Sequence, residues 1–508
     1  MKLKYIFLGL ACSSCLILTN TSCSLDYDPI DTYSDVTEGV TESGEKVAFK
    51  DKAAVESHLV TIYQRMRDRQ EHWYNDFLII SDSHADNAYA GVTGAEVMPF
   101  ETNSIEGSNS IIERDWNRYL EDIARANKLI CNIDDVQDNS LTSSERAQYK
   151  AEARIFRAMI LFDMVRLWGS IPVIITEAED ITSESIEGVY PQYFPSQSTE
   201  DEAYKQIETD LLESIAAAPD YNAADKTIFT KTVARTILAK VYAEKPLRDY
   251  TKVIQYCDQV AADGVDLVTD FSDLFGMNET NTDTKARNTK ESILEAQFFS
   301  GSGNWCTWMF GRDLVNWNNN FTWAKWVTPS RDLIKAFENE GDLIRYKESI
   351  VYYKCTWSNY YPSDNYPFMY KCRSAYSSII KYRYADVLLL KAEALIMKDG
   401  PDLAGAATII DRIRTRAGIA KLSSSDKSSK SSMENALLKE RRLELAFEGQ
   451  RWYDLVRLGK VEEVMNAVYA KDSGRKPQMY PFDQNSYRLP IPQGSIDQNP
   501  NLVQNPGY

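Results

Sequence analysis

Residues 304 to 326, NWCTWMFGRDLVNWNNNFTWAKW, gather five of the chain's ten tryptophans among asparagines, an arginine, an aspartate and a glycine. Indole offers a broad apolar face and one N–H donor, so it suits a packed core and equally a flat binding platform. A core segment carries regular apolar spacing and apolar neighbours; here Asn304, Arg312, Asp313, Asn316, Asn318, Asn319 and Asn320 surround the rings. That mixture matches what a pyranose needs. Its C–H faces lie against aromatic rings, and its hydroxyls exchange water for amide and charged partners. Trp305, Trp308 and Trp317 are therefore the expected stacking platforms, with Trp323 in the same ligand-binding group and Arg312, Asn318 and Asn319 as hydroxyl partners. Trp326, directly before the helix-start pattern VTPSRDLIKAF, is expected in the core. The competing reading makes the whole set a satellite apolar cluster that caps a scaffold.

A second polar loop, SHADNAYAGVTG (83–94), puts Asn87 and Tyr89 where they can face the same pocket; the competing reading is an ordinary surface loop. Tyr360, Tyr361 and Tyr366 are further aromatic candidates. No catalytic residue is assigned. The chain lacks a nucleophile elbow, a metal-binding histidine pair and a phosphate-cradling glycine loop. Glycoside hydrolysis needs two carboxylates held ~5 to 10 Å apart, and 74 acidic residues leave such a pair open. Asp82 and Asp86 supply oxygens, but no calcium loop with alternating acidic positions surrounds them. Three histidines, His58, His72 and His84, and irregular cysteine spacing match no zinc pattern. Neither metal nor cofactor is expected. Cys355 and Cys372 are open to pairing as a disulfide or to staying buried thiols.

The net charge of −17 opposes a nucleic-acid partner, which binds through clustered lysine and arginine. Residues 1–22 read as a signal peptide: Lys2 and Lys4, an apolar run from Tyr5 to Leu18, then Thr19 to Ser22. Cys23 follows the small Ser22 and precedes an acidic stretch, the look of a bacterial lipoprotein signal in which the cysteine is acylated, for example with palmitate. Asn20 stands where leucine is usual, and secretion with an unmodified Cys23 is the alternative. Acyl chains contribute ~0.8 kcal/mol per buried CH₂, so more than one gives stable tethering.

Elements that must carry these residues follow. Residues 23–50 are an acidic flexible leader; 51–264 form an N-terminal helical part; 265–508 form a C-terminal part with an aromatic-rich, irregular insertion at 265–382. Ile155, Ala158, Met159, Phe162 and Val165 trace one helix face, and Tyr384, Val387, Leu388, Ala392, Leu395 and Ile396 another. Paired helices with small residues such as Ala239, Ala392 and Ala407 predict tetratricopeptide-like hairpins of ~34 residues. SILEAQFF is the one strand-like run of the insertion.

KYRYADVLLLKAEAL (381–395), ERRLELAFEGQRWYDLVRLGK (440–460), YRLPIPQGSIDQNPNLVQNPGY (487–508) and AEARIFRAMILFDMVRLWGSIPVI (151–174) resemble segments of the SusD/RagB-like family of outer-membrane nutrient-binding lipoproteins. The resemblance implies a mostly α fold on tetratricopeptide-like units and a lipid anchor at the outer membrane. It also implies a SusC-like TonB-dependent transporter as partner, and capture of ligand without catalysis. Members bind glycans or oligopeptides, so an oligosaccharide is the expected ligand, an oligopeptide the alternative, and a secreted glycosidase the more distant rival. From the residues alone, Arg451, Trp452 and Asp454 are expected to hold a hairpin together and touch no ligand.

Overall fold

A computed structural model describes residues 39–40, 46–91, 94–179, 186–280, 283–285, 287–299, 303–305 and 326–508. The first long helix, α1 (Lys52–Asp68), starts where Asp51 accepts a hydrogen bond from the Ala54 amide. A wide-turn segment follows, with π turns at Glu71–Asn75 and Ile79–Ser83 on either side of Asp76–Leu78. Then come α2 (Ser110–Asn132), α3 (Ser143–Trp168), α4 (Glu200–Ile215), α5 (Lys231–Ala243) and α6 (Tyr250–Ala262). Helices α3 and α4 both begin with a reciprocal capping box, Thr142 with Glu145 and Thr199 with Glu202.

Each helix packs on the next: α2 on α3, α3 on α4, α4 on α5 and α5 on α6. Helix α6 then packs on α9 (Tyr384–Met397), and α9 on α10 (Leu403–Arg416) and α11 (Lys430–Glu444). The chain is thus mostly helical, with the hairpin stacking that its small residues predicted. Ala239, Ala392 and Ala407 are all buried at these contacts. Helix α3 departs from the expected single face: every residue from Ala151 to Trp168 is buried except Arg154. A helix covered on all sides must pair its polar groups internally. Arg157 accordingly grips Asp210 and Asn127, and Asp163 pairs with Arg166 and Lys381.

Between α6 and α9 the 265–382 segment carries more regular structure than an irregular insertion. Ser330 caps α7 (Arg331–Glu340), left-handed Gly341 ends it, and α8 (Leu343–Ser349) follows. Among the described residues four antiparallel pairs occur, numbering strands in chain order: β1 (Gly39–Val40) with β2 (Lys46–Val47), β3 (Ala88–Tyr89) with β5 (Thr328–Pro329), β4 (Ser292–Ala296) with β8 (Ile379–Arg383), and β6 (Ile350–Tyr353) with β7 (Tyr366–Met369). One continuous apolar core runs from Phe49 to Leu502. Cys355 and Cys372 are both buried and are not bridged to each other. Among the described residues no helix is long and apolar enough to cross a membrane.

The C-terminal half closes on a buried charge cluster. Arg345, Arg383 and Arg416 converge on the Glu444 carboxylate, Arg345 at 3.0 Å and Arg383 at 2.6 Å, and all four residues but Arg416 are almost fully buried. Arg383 also binds Glu291 at 2.8 Å and Glu448 at 2.6 Å, joining β8 to β4 and to the turn after α11. Burial opposes charge on Glu444, yet the Arg416, Arg383 and Arg345 guanidiniums hold its carboxyl well below the usual range. Removing one partner from a buried cluster leaves an uncompensated charge. Glu444→Gln is expected to cost about 3–5 kcal/mol in equilibrium denaturation. Because the folded-state value lies below the unfolded one, this stabilisation is complete above the unfolded carboxylate range and is lost as pH falls. Circular dichroism across an acid titration should show the denaturation midpoint dropping below about pH 4.

Candidate functional site

Trp305 is the one ring of the predicted platform group that falls within the described residues. Its position is set by one glutamine: Gln70 Nε2 donates to the Gly303 carbonyl at 3.0 Å, and Gln70 Oε1 accepts from the Trp305 amide at 2.8 Å. Asn304 donates through its amide to Ala375 O at 2.7 Å and through Nδ2 to Ser377 O at 2.8 Å. The backbone is pinned on both sides while the indole stays 38% exposed. Trp308, Trp317, Trp323, Arg312, Asn318 and Asn319, like Cys23, lie outside the described residues. Trp326 is half-buried against the core, as expected.

A groove of about 820 Å³ opens between α1, the start of α3 and β4. One wall is α1, through Val60, Tyr63, Gln64 and Arg67; Gln70, the Trp305 anchor, comes three residues after Arg67. The start of α3 contributes Gln148, Tyr149 and Glu152. The third side is β4 and its extension, through Glu295, Ala296, Gln297 and Phe299, and the 219–228 segment adds Pro219, Ala224, Asp225, Thr227 and Ile228.

The polar groups of the groove are arranged in advance. Tyr63 donates to Glu152 Oε2 at 2.6 Å, and Gln148 donates to Glu152 Oε1 at 2.8 Å. Gln297 Nε2 donates to Glu295 Oε1 at 2.6 Å and to Asn288 Oδ1 at 2.8 Å. Asn288 adopts φ = 55°, a left-handed geometry that asparagine tolerates, and its amide also donates to Glu295 Oε1 at 2.7 Å. Burial raises the carboxyls of Glu295 and Glu152 and drives the Tyr63 hydroxyl well above its usual value. Phe299 is 49% exposed, with the Arg287 guanidinium 4.5 Å from its ring centre. Open aromatic faces among fixed amides and carboxylates suit a ligand with alternating C–H faces and hydroxyls.

Asn87 and Tyr89 do not face that groove. Both are fully buried. Asn87 Nδ2 donates to Asp82 Oδ1 at 2.9 Å, and its Oδ1 accepts from Arg442 Nε at 3.0 Å. Tyr89 donates to Asp472 at 2.7 Å, accepts from the Arg331 amide at 3.0 Å and stacks on Tyr360 at 4.6 Å. Their polar groups are consumed within the protein, and residues 83–91 form a buried seam. Tyr360, itself buried, donates to Glu101, and Tyr366 is buried beside Phe368. Asp86 is gripped by Arg451 at 2.7 Å, and Asp82 accepts from the Phe447 and Gly449 amides while burial pushes its carboxyl up to about 6. Among the described residues no His, Cys, Asp and Glu cluster can hold a metal ion. Arg451, Trp452 and Asp454 are buried as expected: Asp454 bridges Arg441 to Arg457 across the hairpin, and Trp452 packs on His84.

The groove residues went unnoticed in the sequence because they come from five separate stretches, 60–67, 148–152, 219–228, Asn288 and 295–299. The one local signal was the alternation of Glu295, Gln297 and Phe299 inside the strand-like SILEAQFF.

A stack of helical hairpins carrying an aromatic, amide-lined groove defines a helical binding protein. Comparison with known proteins sharpens this. Residues 364–508 match the family model described as "SusD family", and residues 33–243 match "Starch-binding associating with outer membrane". The chain belongs to the SusD/RagB-like family. SusD-like protein P2 of Formosa agariphila is 26% identical over 440 residues, covering 79% of this chain and 81% of that one. A SusD-like protein of Bacteroides ovatus is 23% identical over 501 residues, covering 89% and 82%. The fold is similar to that of a laminarin binding SusD-like protein (TM-score 0.70, 22% identity, 91% of this chain and 100% of that one). It is also similar to a SusD homolog from Bacteroides thetaiotaomicron (TM-score 0.73, 23% identity, 90% and 97%). Surface glycan-binding protein A from Bacteroides thetaiotaomicron, in complex with laminarihexaose, shares it too (TM-score 0.70, 19% identity, 90% and 99%).

Because Asn87 bridges two buried groups and touches no groove residue, Asn87→Ala should lower stability by about 1–3 kcal/mol in urea denaturation. Its affinity for any ligand of the groove, measured by calorimetry, should be unchanged.

Proposed function

We propose that the protein is an outer-membrane binding lipoprotein, tethered through acylated Cys23, that captures oligosaccharides and passes them to a SusC-like TonB-dependent transporter without cutting them. The observation that carries this reading is the 820 Å³ groove, lined by the exposed Phe299, by Tyr63 and Tyr149 and by fixed amides, together with the exposed ring of Trp305. Membership of a family described as starch-binding, and a fold shared with laminarin and laminarihexaose binders, support a glycan. Trp308, Trp317 and Trp323 extend the same aromatic surface in this reading, with Arg312, Asn318 and Asn319 as its hydroxyl partners.

A binder that hands its ligand on works at micromolar to millimolar affinity, about −8 to −4 kcal/mol. Both oxygens of Glu152 are occupied by Tyr63 and Gln148, which suits a structural acceptor better than a proton donor to a scissile bond.

The test is calorimetry of the purified protein against panels of oligosaccharides and oligopeptides, with reducing-end assays in parallel. Saccharide binding is expected, weakened at least about tenfold by Phe299→Ala and by Trp305→Ala with the thermal midpoint retained. Binding of peptides alone would replace the ligand class. New reducing ends would make the protein a glycosidase.

A further inference from the structure

Granting the saccharide reading of the groove, we infer that the protein carries a second, independent saccharide site where the 103–107 segment meets the C-terminal tail. A cavity of about 670 Å³ lies there, lined by residues that include Asn103, Glu106, Tyr480, Asn485, Gln504 and Tyr508. It shares no lining residue with the groove. The groove takes in Gln148, Tyr149 and Glu152 near the start of α3, whereas the tail is bonded to the last turn of that helix. The Leu489 amide donates to Leu167 O at 2.7 Å, and Trp168 Nε1 donates to Pro490 O at 3.1 Å. Tyr149 and Trp168 are about 28 Å apart along the helix at ~1.5 Å of rise per residue, so no single sugar ring fills both places.

The cavity is built by the same device that presents Trp305. There the buried amide of Gln70 pins the backbone beneath an exposed ring; here Asn103 does so. Asn103 is buried in left-handed geometry, φ = 52°, and its Nδ2 donates to the carbonyls of Tyr480 and Pro481, each at 3.1 Å. The neighbouring Met479 amide donates to Thr102 O at 2.7 Å. Tyr480 is thus fixed through its main chain while its ring stays 63% exposed. On the tail, the Gln504 side-chain amide is locked at both ends to the Ile491 backbone, at 2.7 and 2.9 Å. The Tyr508 hydroxyl donates to Arg488 O at 3.0 Å, and its ring remains 42% exposed.

A lone exposed tyrosine is ordinary on a protein surface. Two of them on a pinned backbone around one cavity form a pre-organised aromatic wall. The Tyr480 hydroxyl and the Glu106 carboxylate take no partner among the described residues, and Asn485 Nδ2 reaches only Asp483 Oδ2, at 3.4 Å. Sugar hydroxyls can exchange water for these groups while C–H faces lie on the rings. No lysine or arginine lines the cavity, so it offers an anionic group no counter-charge, and a neutral saccharide is the class it fits. Two aromatic residues line it against three in the groove, which makes it the weaker site by about tenfold.

The experiment is equilibrium dialysis of the purified protein against radiolabelled laminarihexaose and maltohexaose, carried to millimolar concentration. Phe299→Ala, Tyr480→Ala and the double variant are measured beside the unaltered protein, each with its thermal midpoint; both side chains are exposed, so all should fold. The unaltered protein should take up two molecules per chain in a tight and a weak phase. Tyr480→Ala should remove the weak phase alone, Phe299→Ala the tight one, and the double variant should bind neither. One molecule per chain, on a curve that Tyr480→Ala leaves unaltered, would overturn the inference and keep the groove as the saccharide site. Binding lost in Tyr480→Ala and untouched in Phe299→Ala would overturn the reading of the groove and keep the second site. No uptake of either hexasaccharide by the unaltered protein would overturn both.

Discussion

Helix α11 is the electrostatic axis on which the rest of the structure depends. Successive residues on it reach different parts of the chain: Glu440 meets Arg345 and Arg414, Arg441 meets Asp386 and Asp454, Arg442 meets Asn87 and Asp332, and Glu444 meets Arg345, Arg383 and Arg416. A helix can do this because consecutive side chains point about 100° apart, so one charged run addresses every neighbour packed around it. Removing such groups from water is expensive unless each finds partners at good geometry. The fold is therefore held to one arrangement of α8, α10, β8 and the 83–91 seam around this helix.

That constraint explains why the polar residues at 83–91 are buried. Asp86 answers Arg451 and Arg442, Asn87 answers Arg442 and Asp82, and Arg475 donates to the carbonyls of Ala85 and Ala88. Polar composition here reflects partners within the protein, and the arginines among them lie more than 350 residues away in the chain. The groove behaves differently. Its hydrogen bonds tie α1 to α3 through Tyr63 and Glu152 and close on themselves within the 288–299 extension, and they leave the Phe299 ring exposed. A site that must exchange water for ligand hydroxyls needs fixed groups that solvent can reach, and most of the α11 cluster is buried.

The anchoring of Trp305 joins the two regimes. Gln70 treats the Gly303–Trp305 backbone as a strand partner would, and Asn304 is held by the 375–377 backbone. The indole gains a fixed position from backbone contacts alone, which leaves its face unburied. This is an economical way to pre-organise a platform, since the ordering cost is met by main-chain bonds before any ligand arrives.

Much of the fold was legible in the residues themselves. The 3.6-residue apolar periodicity and the small residues at 239, 392 and 407 are local signals, and local signals determine that this chain forms stacked helical hairpins. ERRLELAFEGQRWYDLVRLGK was likewise legible as a packing element, because charges at helical spacing around buried aromatics need partners nearby. The groove was not legible, apart from the alternation in SILEAQFF, and the buried fate of Asn87 and Tyr89 was invisible. Tyr63, Glu152 and Glu295 meet only when α1, α3 and β4 are packed, and Asn87 is consumed by an arginine 355 positions away. Side-chain type fixes what chemistry a residue can do; whether its groups face solvent or another part of the protein is set by long-range packing, which only the tertiary structure decides.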